Sequence, residues 1–139
     1  MKIVLDTNTL LVSVSGRSPY YPIYKALRNK EYELAVTSDI LLEYEEIIGE
    51  EMGGEVAGDV LSFLSLASNV RRITTWYYWS LISADPDDDK FADAAIAANV
   101  DFIVSDDRHF RVLKRIPFPK VKVITTEEFL KMIVEKRHL

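Results

Sequence analysis

Short apolar runs without polar alternation recur along the chain and predict strands that are buried on both faces of a sheet. The predicted strands are Lys2–Leu5, Leu34–Val36, Val70–Ile73, Phe102–Ser105 and Val121–Ile124. Between them, apolar residues recur at the three- and four-residue spacing of a helix face. The predicted helices are Leu10–Val14, Ile23–Arg28, Asp39–Ile48, Val56–Ala67, Lys90–Ala98, Phe110–Ile116 and Thr126–Lys136. This alternation predicts an α/β fold of three α/β/α layers, with a mainly parallel central sheet of about five strands.

Residues at the helix ends predict where two of these helices begin and where one stops. Ser38 is predicted as the N-cap of the third helix, because serine side chains accept hydrogen bonds from the first turn. Thr125 and Glu128 match the capping box of the last helix. Gly49 and Gly53 are predicted to end the third helix, since glycine is unfavourable in helix interiors.

The composition fits one compact domain. The chain has 139 residues, 48% of them apolar, and we find no linker, repeat or low-complexity segment, so one domain is predicted over residues 1–139. No apolar stretch approaches ~20 residues and no secretory signal is recognised, so a cytoplasmic protein with no membrane partner is expected. The absence of cysteine excludes disulfides and thiolate metal sites. His138 is expected in the C-terminal tail.

Carboxylates follow two of the predicted strands at the point where each strand ends. Asp6 follows the first strand, and Asp106 and Asp107 follow the fourth. The carboxyl ends of parallel strands point to the same edge of a sheet. If the two strands lie close together, acids from distant parts of the sequence meet at that edge.

Two further groups of acids lie on predicted helices. Glu43 shares a helix face with Ile40 and Tyr44, so it is expected on the apolar side, where an acid needs a partner. The second group opens the alanine-rich helix and comprises Asp87–Asp89 and Asp93. Clustered carboxylates stay ionised together when a cation lies between them, and oxygen ligands suit Mg²⁺ or Mn²⁺. These acids predict a metal-dependent site that processes phosphate esters.

The net charge of −5 hides a local basic stretch between Arg108 and Lys122, in which no acid occurs. Phosphate backbones favour basic surfaces. Arg108, Arg111 and Lys114 are therefore candidates for contacts with nucleic acid, and the alternative is a solvated surface. His109, in the same stretch, is either a surface residue or a phosphate contact.

Each candidate also has a purely structural interpretation. Asp6 would cap the helix that follows it, and Asp106 or Asp107 would cap the next helix after the fourth strand. Asp87–Asp89 would stabilise a helix N-terminus. Glu43 would form a buried ion pair with an arginine. The aromatic run Trp76–Trp79 would lie in the core or in a dimer interface rather than stack on nucleic-acid bases.

Four sequence features occur together in a defined order along the chain. They are VLDTNTLL at the start, Glu43 after the second predicted strand, DPDDDKFADAAIAA, and FIVSDDRHF. In this order the chain resembles the PIN domain family, and more narrowly the prokaryotic PIN proteins that are toxin components of toxin–antitoxin systems. The resemblance covers nearly the whole chain. It implies a PIN-like parallel sheet flanked by helices and an acidic pocket for Mg²⁺ or Mn²⁺.

Carried over residue by residue, the resemblance assigns three acids to catalysis. The first family aspartate matches Asp6, the helix glutamate matches Glu43, and the last aspartate matches Asp107. Ser105 replaces a threonine that is common in the family, and its hydroxyl is expected to hold a carboxylate or water of the site. Asn8 matches a frequent polar position and is expected beside the ligands.

A further family aspartate has two matches in this chain. Counting back from Asp107 gives Asp88 or Asp89, whereas local similarity within DAAIAA gives Asp93. The resemblance therefore implies a cation held by Asp6, Asp107 and Glu43 together with Asp88 or Asp93. Asp88 is favoured as the direct ligand, and Asp93 is kept as a site residue one turn into the helix.

The resemblance implies a metal-dependent endoribonuclease, the toxin of a toxin–antitoxin pair, that hydrolyses RNA phosphodiesters with a metal-activated water. The expected partners are an RNA substrate, a cognate antitoxin protein and a second copy of the chain in a homodimer. The alternative is a PIN-like module, catalytically weak or inactive, that binds RNA or protein.

Overall fold

A five-stranded sheet runs through the centre of the molecule, and all its strands are parallel. The computed structural model describes residues 1–82 and 84–137, so the tail position predicted for His138 lies outside the described residues. The strands are β1 (Lys2–Leu5), β2 (Glu33–Val36), β3 (Val70–Arg72), β4 (Phe102–Val104) and β5 (Val123–Ile124), in the spatial order β3-β2-β1-β4-β5. The α/β class and the parallel sheet predicted from the apolar runs are confirmed.

Helices connect the strands and cover the sheet. The α-helices are α1 (Thr7–Val14), α2 (Tyr21–Arg28), α3 (Ser38–Met52), α4 (Gly54–Leu66), α5 (Asp89–Ala98) and α6 (Thr126–Arg137). The described part of the chain also contains two 3₁₀ helices, Pro86–Asp88 and Arg108–Arg115. Among the described residues, no helix is long and apolar enough to cross a bilayer.

The start and end of α3 differ from the predicted ones. Thr37, not Ser38, is the N-cap: its backbone is extended and its side chain accepts a hydrogen bond from the Ile40 N–H at 3.2 Å. Ser38 already belongs to the helix, because β2 ends at Val36 and leaves a single residue for the turn. The helix also passes through Gly49 and ends only at Gly53, whose φ of 95° breaks the helical conformation.

The predicted capping box at the start of α6 is confirmed. The Thr125 N–H donates to Glu128 Oε1 at 2.9 Å, and the Glu128 N–H donates to Thr125 Oγ1 at 3.1 Å. These reciprocal bonds satisfy main-chain donors that have no partner within the helix. Local polar spacing was sufficient to locate this helix start.

The core lies on both faces of β1, whose residues Ile3, Val4 and Leu5 are fully buried. Burial of side chains of this size contributes about 1.5–3 kcal/mol each. In α5, four alanines are buried, and their small side chains let the helix lie close to the central strand. They are Ala92, Ala94, Ala95 and Ala98.

The strand order creates a crevice at one edge of the sheet. β1 leads through α1 and α2 to β2 on one side, whereas β4, on its other side, comes much later in the chain. The winding direction therefore reverses at β1. In open α/β sheets, binding sites form outside the carboxyl ends of the strands at such a reversal.

Candidate metal centre

The pairing of β1 with β4 brings Asp6 beside Ser105. Leu5 is in register with Val104, and one of these polar residues directly follows each strand. The Ser105 hydroxyl donates to Asp6 Oδ2 at 2.7 Å and accepts from the Asp107 N–H at 3.0 Å. One hydroxyl therefore joins two acidic residues that lie far apart in the chain.

The two acids that follow β4 have different partners. Asp107 Oδ1 accepts from the His109 N–H at 2.9 Å and so caps the 3₁₀ helix Arg108–Arg115. Asp106 Oδ1 accepts from the Thr126 N–H at 2.8 Å, at the start of α6. Asp107 therefore performs the capping role considered from the sequence and also lies beside Asp6.

Asp88 contributes a further carboxylate, which is buried, from a distant segment. It ends the 3₁₀ turn Pro86–Asp88, is 9% exposed, and its Oδ2 atom has no hydrogen-bond partner among the described residues. One ligand atom from each of four residues lies within 4.8 Å of the others, and these residues are Asp85, Asp88, Asp107 and His109. An unpaired buried oxygen inside such a cluster fits a divalent cation with oxygen ligands.

Burial raises the pKa of two of these carboxyl groups. The pKa of Asp6 rises to about 6, mainly through burial and further through the charges of Asp107 and Glu43, while the bond from Ser105 opposes the rise. The pKa of Asp88 rises to about 7, again mainly through burial and then through Asp107 and other acids. The charged forms are therefore costly without a counter-charge, which a bound cation provides.

Glu43 lies at the same edge of the sheet and is held by two partners. The Thr7 hydroxyl donates to Oε2 of Glu43, and Lys90 Nζ lies 2.7 Å from Oε1. Next to it, the Tyr44 hydroxyl donates to the Leu5 carbonyl at 2.6 Å and fixes α3 against the end of β1. The ion pair considered for Glu43 exists, but lysine, not arginine, is the cation.

Comparison with known protein families identifies the family of this chain. The sequence profile of the PIN domain matches residues 2–109, which is more than half of the chain. The chain belongs to the PIN domain family. Proteins with this domain are generally nucleases.

Three solved structures share this fold. A chain of VapBC2 from Rickettsia felis, bound to a promoter DNA fragment, has 22% identity and a TM-score of 0.61, covering 90% of this chain and 98% of that chain. A chain of DNA-bound VapBC from Salmonella typhimurium has 20% identity and a TM-score of 0.58, covering 91% and 98%. VapC20 from Mycobacterium tuberculosis, a sarcin-ricin loop cleaving toxin, has 11% identity and a TM-score of 0.51, covering 73% and 86%. The comparison with curated proteins found no significant match.

In this PIN domain, Asp93 contacts the aromatic segment. Its Oδ1 accepts from the Trp79 N–H at 3.0 Å, and Asp89, one turn earlier, accepts from the Ile82 N–H at 2.8 Å. The face shared by these two acids therefore anchors the main chain of the segment that contains Trp76–Trp79. Burial and the charge of Asp89 raise the pKa of Asp93. Its assignment as a metal ligand stays a prediction from the sequence.

The aromatic segment itself lies on the surface. Trp76, Tyr77 and Tyr78 are 89%, 64% and 73% exposed, so the core interpretation is wrong for these rings. Two carboxylates of α5 accept hydrogen bonds from the main chain at Trp79 and Ile82, and these bonds hold the segment at the surface.

The remaining predicted site residues line the rim of the PIN domain centre. Asn8 is exposed and shares a pocket of about 240 Å³ with Asp6 and Asp107. Arg111 and Lys114 are exposed and line a small cavity with Ser105 and Asp107, and Arg108 is exposed on the same 3₁₀ helix; these are the predicted nucleic-acid contacts.

Sequence reasoning missed four residues that build the centre. Asp85 and His109 join the carboxylate cluster, and Thr7 and Lys90 hold Glu43. The sequence gives one indication of these residues: each lies directly beside a predicted acid or within three residues of one. Adjacency does not indicate which side chains turn toward the same point.

Proposed function

We propose that this PIN domain protein is a divalent-metal-dependent endoribonuclease that acts as the toxin of a toxin–antitoxin pair. One observation carries the proposal: carboxylates from three separate segments, Asp6, Asp88 and Asp107, converge at the switch point of the sheet, with one buried oxygen of Asp88 unpaired. This supports a cation site, and the family supports nuclease chemistry.

In this proposal, Asp6, Asp88 and Asp107 hold Mg²⁺ or Mn²⁺. A cation bound there would lower the pKa of a coordinated water. It would also stabilise the negative charge on the leaving oxygen of the phosphodiester. Ser105 keeps Asp6 and Asp107 in their relative positions. The contact of Asp93 with Trp79 supports a positioning role for Asp93 and favours Asp88 as the direct ligand.

The residues of the rim would orient the RNA. Arg111 and Lys114 border the same cavity as Asp107, which places positive charge beside the acidic centre. Such contacts with phosphates position a strand without reading its sequence. Because the whole chain carries a net charge of −5, these local charges and the cation offset the repulsion between protein and RNA.

The partner of the toxin would be a cognate antitoxin, and we also propose a homodimer. The similarity to chains of two VapBC complexes supports the antitoxin. Expression of the wild-type chain alone is expected to arrest bacterial growth, and co-expression of a protein encoded beside it is expected to restore growth.

The substitution Asp6→Asn tests the nuclease. It keeps the size of the side chain and its bond with Ser105 while removing a ligand charge, so cleavage of an RNA panel with Mn²⁺ or Mg²⁺ is expected to fall by at least ~100-fold with the fold retained. EDTA is expected to have the same effect on the wild type. Asp59→Asn, which makes the same change at an exposed position of α4, serves as the control. Equal cleavage by Asp6→Asn and wild-type proteins, purified identically, would disprove the site.

Glu43 already has two partners, Thr7 and Lys90. This favours one alternative function, that of a catalytically weak PIN module that binds RNA or protein. Lys90 already neutralises one acid of the edge, and this reduces the negative charge available to a cation. Under this alternative, the purified protein binds RNA equally well with Mn²⁺ and with EDTA and cleaves none of the panel. Metal-dependent cleavage would exclude it.

A further inference from the structure

His109 places a ring nitrogen inside the carboxylate cluster. We propose that the imidazole Nδ1 of His109 is a direct ligand of the cation, together with Asp85, Asp88 and Asp107, and that this mixed nitrogen and oxygen set binds Mn²⁺ more tightly than Mg²⁺. The inference rests on the proposed function, because it concerns the cation of the same centre. It adds one nitrogen and one oxygen ligand to those that the resemblance implied.

The imidazole nitrogen of His109 lies close to three carboxylate oxygens. His109 Nδ1 lies 3.4 Å from Asp107 Oδ1, 3.6 Å from Asp88 Oδ2 and 3.6 Å from Asp85 Oδ2. The ring nitrogen and Asp88 Oδ2 are both buried, and neither has a hydrogen-bond partner among the described residues. Buried polar atoms are normally paired, so two unpaired atoms that face each other indicate a shared ligand.

Hydrogen bonds from the main chain orient the side chains of His109 and Asp85 before any cation binds. The His109 N–H donates to Asp107 Oδ1, and the buried side chain of Phe110 anchors the next residue in the core. Asp85 Oδ1 accepts from the Asp87 N–H at 3.1 Å, so its other oxygen, Oδ2, faces the imidazole. Local hydrogen bonds therefore position His109 and Asp85 in advance, and this lowers the ordering cost of binding a cation.

The donor set determines which cation is preferred. Imidazole nitrogen suits transition metals, whereas Mg²⁺ strongly prefers oxygen and retains several waters. Mn²⁺ accepts both nitrogen and carboxylate ligands. A centre that combines an imidazole with carboxylates therefore discriminates between these two ions, although they carry equal charge.

Pulsed electron paramagnetic resonance of bound Mn²⁺ tests the proposal directly. The chain has two histidines, so His138→Gln leaves His109 as the only one, and protein without a histidine tag carries no other imidazole. With ¹⁵N-histidine in this variant, the nitrogen modulation of Mn²⁺ is expected to change from the ¹⁴N to the ¹⁵N pattern. This measurement requires no substitution in the centre.

Binding affinities provide the second readout. His109→Gln is expected to weaken Mn²⁺ binding at least tenfold, since loss of even an outer partner of a metal ligand costs ~10–100-fold, and to change Mg²⁺ binding much less. His138→Gln is expected to change neither affinity. Calorimetry at one pH, with the fold checked by circular dichroism, measures both ions.

The outcomes separate this inference from the proposed function. Tight Mn²⁺ binding without nitrogen modulation would overturn the role of His109 and leave the carboxylate centre standing. This is the result expected if the ring is instead a protonated imidazole paired with the three carboxylates. Absence of Mn²⁺ and Mg²⁺ binding by the wild type would overturn both. Modulation that follows the label, with unchanged affinity for Mg²⁺ in His109→Gln, would support the proposal.

Discussion

At the scale of single residues, the Ser105 hydroxyl connects Asp6 with Asp107. It donates to the Asp6 carboxylate and accepts from the Asp107 main chain, so one hydroxyl acts both as a donor and as an acceptor. Its bond to Asp6 favours the charged carboxylate and lowers the pKa that burial raises. A small polar side chain therefore sets both the position and the charge of a candidate ligand.

Ser105→Ala is expected to reduce the free energy of unfolding by about 1–3 kcal/mol at pH 8, because the bond lost is one to a buried, charged group. The pKa of Asp6 is expected to rise further, and two-dimensional NMR titration measures this shift. Ser105→Thr retains the hydroxyl and serves as the matched control. Equal urea midpoints for the alanine and threonine variants would contradict the role given to the hydroxyl.

At the scale of elements, the start of α3 governs where Glu43 and Tyr44 lie. The helix is tied at its N-terminus by Thr37 and at the end of β1 by the Tyr44 hydroxyl. These two attachments present Glu43 to Thr7 and Lys90. The position of a candidate site residue therefore depends on a cap that lies six residues before it.

Thr37→Ala is expected to lower the free energy of unfolding by about 1 kcal/mol, since the substitution removes the side-chain acceptor of the cap. Ser38→Ala, one residue later, is the matched control and is expected to change stability by less than half of that amount. Urea unfolding at neutral pH measures both. The reverse order of the two effects would show that Ser38 is the cap.

At the scale of the whole molecule, the centre makes stability depend on pH and on metal. The pKa values of Asp6 and Asp88, about 6 and about 7, exceed the ordinary aspartate value of 3.8. In the metal-free protein, the folded state therefore binds more protons than the unfolded state between about pH 4 and pH 7. The contribution of these two groups to stability is present at low pH and is lost as the pH rises through this window.

For the metal-free protein, the melting temperature of wild type relative to the Asp6→Asn Asp88→Asn double variant is expected to fall as the pH rises from 5 to 8. Since carboxylates must lose their protons to bind a cation, Mn²⁺ is expected to raise the wild-type melting temperature more at pH 8 than at pH 5. Thermal scans with EDTA and with Mn²⁺ measure both effects. A difference between wild type and variant that does not depend on pH would refute the linkage.

Features that depend on neighbouring residues could be predicted from the sequence. The apolar runs identified the parallel α/β fold, and the spacing of Thr125 and Glu128 identified a capping box. The acids after β1 and β4 were also visible, because a residue that follows a strand lies at its carboxyl edge whatever the rest of the fold. Periodicity and capping are local, so they can be read along the chain.

Which of these local features lie close together depends on the packing of the whole chain. The β1–β4 register put Asp6 beside Ser105, and the turn before α5 brought Asp88 to the cluster while Asp93 bonded to Trp79. Lys90 as the partner of Glu43 follows from the packing of α5 against α3. The physical reason is that strand order, register and helix packing depend on contacts between segments distant in sequence, and no local spacing encodes them.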